Sequence, residues 1–136
     1  MGQSEKVKAF KNELRNYNYY LFRVNTLKNS IEFCYDRLGG VKGIDPSKEP
    51  THAIPNKELE YKLRDDIERY EKERKRIQEN ILYIDTVLNR MEPDIMKAII
   101  SVYIYKEQVK KVADTLYLSH NGLQKRMNKA IEHAII

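Results

Sequence analysis

The chain has 136 residues, with 25 Lys and Arg against 20 Asp and Glu, a net charge of +5 and 41% hydrophobic residues. These values suit one or two compact, highly charged and largely helical units. No apolar run is long enough for a membrane span and no signal-peptide pattern opens the chain, so no membrane partner is expected and the cytoplasm is the expected compartment. The single Cys34 has no internal disulfide partner, and its place in a helical pattern points to packing.

From Val7 the positions Phe10, Leu14, Tyr17, Leu21, Val24, Lys28, Ile31, Tyr35 and Leu38 alternate steps of three and four, the pattern of a heptad seam. Tyr20, Leu27 and Cys34 widen that stripe on one side. One helix of roughly 34 residues is predicted, about 50 Å long at 1.5 Å per residue. Gly39-Gly40 is expected to end it, and residues 39–55, with Pro46, Pro50 and Pro55, form an expected loop. Val41, Ile44 and Ile54 are its apolar positions, and His52 stands there without a companion ligand.

Asn56 is a candidate cap for the next helix, whose start is rich in acids, as the helix dipole prefers. Leu63, Ile67, Tyr70, Arg74, Ile77, Ile81, Ile84, Leu88 and Met91 repeat the three-four alternation. Two such seams joined by one loop predict an antiparallel hairpin over residues 1–92, with Leu38 near Leu59 and Val7 near Met91. Lys28 and Arg74 fall near mid-seam, where they need either acids such as Glu71 and Glu73 or exposure. The apolar residues beside the seam favour a homo-oligomer through the long helices.

Glu92-Pro93 predicts a break, because Pro disfavours a helical predecessor and suits the first turn of a new helix. Residues 93–136 then read as a small three-helix module. Met96, Ile99, Ile100 and Tyr103 make a support helix, and Val109, Val112, Ala113 and Leu116 share one face of a second. Ser119 is a preferred N-cap for a third, whose apolar positions are Leu123, Met127, Ala130, Ile131 and Ala134. His120, Asn121, Gln124, Lys125 and Lys129 are left on or near the opposite face, with no acid among them.

Amide side chains pair with adenine, lysines donate to guanine, and a recognition helix enters the major groove by its first turns. Asn121 and Gln124 are therefore candidate base readers. Lys110, Lys111, Lys125, Arg126 and Lys129, with Ser119 and His120, are candidate contacts to the rest of a double-stranded DNA site. Both ends are basic: residues 1–38 and 93–136 each carry seven cations against four acids, whereas 39–55 balance and 56–92 carry nine against ten.

With Ile99, Val102 and Tyr103 ahead of them, Tyr105-Lys106-Glu107-Gln108-Val109, Val112-Ala113, Leu116-Tyr117-Leu118-Ser119 and Leu123 resemble the DNA-binding module of sigma factors, region four. That family has a small Ala where the two helices approach, then Leu-Gly-x-Ser, then the recognition helix. Tyr117 departs from it by replacing the Gly, which either costs about 1 kcal/mol where the backbone is left-handed or shifts the turn. The length, the order of elements and the Pro-containing loop with Val41-Lys42-Gly43-Ile44 resemble the sigma-like regulators grouped with ArpU and RinA, found in phages and prophages of Gram-positive bacteria. The resemblance implies late-gene transcription in a bacterial host cell, with RNA polymerase as a further partner.

Enzyme chemistry finds no support, and no catalytic residue, metal ligand or cofactor is expected. Asp114, Ser119 and His120 are placed as helix surface, cap and first turn without a triad, and His120 and His133 lack metal-ligand spacing. The expected fold is all-α, a coiled-coil-like helical hairpin followed by a helix-turn-helix module, and the expected function is sequence-selective transcriptional regulation. Two other classes share these features. One is a DNA-packaging protein like a small terminase subunit, which usually carries its DNA module first, and the other is a helical interaction module that binds no DNA.

Overall fold

A computed structural model describes residues 4–42 and 57–135, which hold six helices and no strand. They are α1 (Glu5–Arg15), α2 (Tyr17–Lys42), α3 (Lys57–Asn89), α4 (Pro93–Ile99), α5 (Val109–Thr115) and α6 (His120–Ala134). α4 continues as a π-helical turn, Ile100–Ile104. No helix among the described residues is long and apolar enough to cross a membrane. By packing, the described residues divide into two units, one holding those up to Leu21 and from Glu79 onward, the other those within Phe22–Gln78.

The first unit starts at a capped helix, where the Ser4 hydroxyl accepts from the Val7 amide at 3.2 Å and Glu5 sits in the first turn. The helix expected to run from Val7 to Leu38 is two helices. Asn16 stands between them at φ −92° and ψ 0°, its amide shared by the carbonyls of Asn12 and Glu13. Asn favours such a break because its side chain competes with the helical backbone. Val7, Phe10 and Leu14 of α1 join Ile84, Val87 and Leu88 of α3 in one core with the C-terminal helices. Ala113, the small residue expected where the two helices of the motif approach, is 1% exposed and part of this larger core.

Pro93 takes the first position of α4 as expected, behind an extended Glu92. Of the support-helix residues, Ile99 and Tyr103 are buried while Met96 and Ile100 are half-buried, and Ile95 and Ala98 fill the core beside them. The π-turn, closed by the Tyr105 amide on the Ile100 carbonyl at 3.1 Å, turns both Tyr103 and Ile104 inward.

In the second unit Ile31, Cys34 and Leu38 of α2 cluster with Leu63 and Ile67 of α3, and Leu59 and Tyr70 pack beside them. The buried line along α2 is Val24, Leu27, Ile31, Cys34 and Leu38, whereas Tyr35 is 54% exposed and Lys28 is exposed. Thus Leu27 and Cys34, expected only to widen the seam, are the seam, one position earlier. That choice keeps the Lys28 ammonium in water, where it needs no partner. Glu73 receives Arg23 in a fork of two bonds of 3.0 Å each, which hold its carboxyl below the usual range. Arg74 stays half-buried, with its Nε shut from water and without a hydrogen-bond partner.

α2 does not end at Gly39-Gly40 but continues to Lys42. A glycine costs about 1 kcal/mol against Ala in a helix, which weakens a last turn without forbidding it. The remainder of the expected 39–55 loop, with Ile44, Pro46, Pro50, His52, Ile54 and Pro55, and the Asn56 cap lie outside the described residues.

Candidate nucleic-acid interface

α5 and α6 follow one another through Leu116–Ser119, and the turn is set by three backbone features. The Leu118 amide bonds the Ala113 carbonyl at 2.9 Å and the Tyr117 amide bonds the Asp114 carbonyl at 3.2 Å, the paired bonds of a Schellman cap. Such a cap puts its closing residue in the left-handed region. Tyr117 occupies it at φ 57° and is 97% exposed, so the turn is kept and the strain is borne by a side chain that packs on nothing.

Ser119 then caps α6, its hydroxyl accepting from the Gly122 amide at 3.0 Å. A Cβ at Gly122 would stand 2.9 Å from that hydroxyl oxygen. Gly122 therefore makes room for the cap, which is a local reason for its presence in the first turn.

Leu123, Met127, Ile131 and Ala134 bury one side of α6. Asn121, Lys125 and Lys129, four residues apart, line the opposite side and are exposed, as is His120 at the start. Glu132 is exposed a turn further on. Lys110 and Lys111 are exposed on α5, and Ser119 is exposed in the turn. No acid falls within α6 before Glu132.

Three candidates border cavities. Arg126 and Lys129, with His133, border an open cavity of about 430 Å³ whose other walls include Arg90, just after α3, whose guanidinium donates to the Ala134 carbonyl at 2.8 Å. Gln124 is half-buried and faces a second cavity with Lys8, Lys11, Asn12 and Arg15 of α1. It is thus less accessible than Asn121, although both lie in the first turns.

The α1 cations do not belong to the residues expected from sequence. Lys11 is 3% exposed, donates to the Asn128 side-chain oxygen and lies 5.5 Å from the centre of the Tyr103 ring. Burial, with help from the nearby Arg15 charge, lowers its pKa to about 8. A signal was present: Lys11 lies four residues after Val7 and three before Leu14, a cation at a core-facing helical step.

Among the described residues no three His, Cys, Asp or Glu side chains gather to hold a metal ion. Cys34 is buried, and desolvation raises its thiol pKa, which leaves it a packing residue. No family model, curated protein or solved structure matches this chain.

Proposed function

We propose that this protein is a sequence-selective DNA-binding regulator that reads the major groove with the first turns of α6. The observation that carries the reading is the way the Schellman turn and the Ser119 cap present the start of α6. They leave His120, Asn121, Lys125 and Lys129 exposed together, opposite a buried apolar side. Asn121 is the base reader, because it is the exposed amide in the first turn and an Asn amide matches the N6 and N7 edge of adenine. Lys110, Lys111, Lys125, Arg126 and Lys129 supply phosphate contacts.

By its resemblance to the ArpU and RinA group, the regulated process is late-gene transcription in a phage or prophage, with RNA polymerase as second partner. Exposed Phe22, Phe33 and Tyr61 on the long helices favour a homodimer, in which two copies of α6 would meet half-sites one or more turns apart.

Selection of bound duplexes from a random pool, followed by affinity measurements on the enriched site and on random DNA, tests the reading. Enrichment of one motif is expected, and Asn121→Ala should lose about 1 to 3 kcal/mol on that motif while random DNA is held almost as before. Recovery of an unenriched pool, or equal losses on both duplexes, would sink it.

A further inference from the structure

α1 carries Lys8, Lys11, Asn12 and Arg15 at helical steps of three and four, so they share one side. That side, with Val102 and Tyr103 of the π-turn, Val109 of α5 and Gln124 of α6, lines an open cavity of about 500 Å³. Three of the lining residues are cations and none is an acid.

The charge is poorly compensated within the fold. Lys11 is answered by the neutral Asn128 amide and by the face of Tyr103. Arg15 donates to the neutral Asn12 oxygen at 3.0 Å and lies 5.5 Å from the same ring centre. Lys8 meets Glu5 at 3.9 Å, but that carboxylate is 94% exposed and screens little. Lys106, outside the lining, donates to the Arg15 carbonyl at 3.1 Å and so brings no acid either. A cation taken out of water without a counter-charge is costly, and its field extends into the cavity it borders.

Lys8, Lys11 and Arg15, with the amides of Asn12 and Gln124, line this one space, Lys11 as a buried charge in its wall, and such groups suit a tetrahedral oxyanion, phosphate being the one that uses several donors at once. The cavity lies on the Gln124 flank of α6, and strand phosphates pass beside a helix seated in the major groove. We propose that this cavity is a phosphate-binding site, and that the phosphate it takes belongs to a DNA strand running past α6. The source of the phosphate rests on the DNA-binding reading, but the site itself does not. α1 is then part of the interface, and its cations hold the strand without reading its sequence.

The test uses the full chain with two probes. Sodium pyrophosphate binding is followed by calorimetry, and binding to a random-sequence duplex is followed by anisotropy across a salt series. Lys8→Gln combined with Arg15→Gln alters two exposed side chains, and Lys11→Met removes the buried charge in the cavity wall. Thermal melting checks that each variant folds, and Lys97→Gln, a cation on α4 outside this cavity, is the control. The double variant is expected to lower the slope of log affinity against log salt by about 0.9 for each phosphate it no longer neutralises, and to weaken duplex binding roughly tenfold. Both variants are expected to weaken pyrophosphate at least as much.

A lowered slope supports the strand phosphate whether or not pyrophosphate binds. Loss of pyrophosphate binding with an unchanged slope supports the site and assigns it to a free phosphorylated molecule, overturning the strand source. If wild type binds no pyrophosphate and the double variant keeps its slope, the site is overturned. So it is if Lys97→Gln lowers the slope equally, because the effect is then one of general charge. A wild-type chain that binds no duplex refutes the DNA-binding reading, and the pyrophosphate arm still decides the cavity.

Discussion

Tyr117 and Lys11 each carry a cost, one of backbone strain and one of buried charge. Tyr117 bears a left-handed backbone at φ 57° while its ring is in water, so no packing offsets its conformational cost. Tyr117→Gly should therefore raise stability by about 1 kcal/mol, seen as a higher melting temperature, and a fall instead would mean that the ring packs on something. Lys11 is the other. Its folded pKa of about 8 lies below the ordinary 10.5, so the unfolded chain holds the extra proton between those values and stability rises with pH across that window. Carbon-detected NMR of the lysine side chains should show one Lys Cε titrating near pH 8 and absent from Lys11→Met. A set of lysines all titrating above about pH 10 would show that this ammonium is solvated. Phosphate in the neighbouring cavity should move the midpoint upward, since an anion favours the charged form.

At the scale of elements, the decisive feature is which line of α2 is buried. Steps of three and four fit Leu21, Lys28 and Tyr35 as well as they fit Tyr20, Leu27 and Cys34, because the two lines are adjacent on one helix. The structure buries Leu27 to 1% and leaves Tyr35 54% exposed. Leu27→Ala should accordingly cost about 2 to 5 kcal/mol in chemical denaturation, against less than about 0.5 kcal/mol for Tyr35→Ala. The reverse order would restore the line that runs through Lys28.

At the scale of the molecule, charge is unequal along the chain, and the equal basic excesses of residues 1–38 and 93–136 are what a polyanion would meet. Lys125 and Lys129 lie on the exposed side of α6. Changing both to Ala should weaken binding to all duplexes and lower the salt slope by roughly 0.9 for each phosphate left without its lysine. A slope equal to that of wild type would remove these lysines from the interface. For the proposed homodimer, light scattering at tens of micromolar is expected to report twice the chain mass, and a monomer there would exclude it.

What the sequence determined by itself was local. The all-α class, the Pro93 start of α4, the Ser119 cap and the burial of Ala113 each follow from short-range rules of periodicity, capping and backbone geometry, which act within a few residues. The tertiary structure decided what depends on distant partners. It chose the buried line of α2, carried that helix past Gly39, placed α1 in one core with the C-terminal helices, and turned Gln124 toward the cations of α1. A helix offers several faces of nearly equal apolar character, and only the shape and charge of the neighbour that covers one of them break the tie.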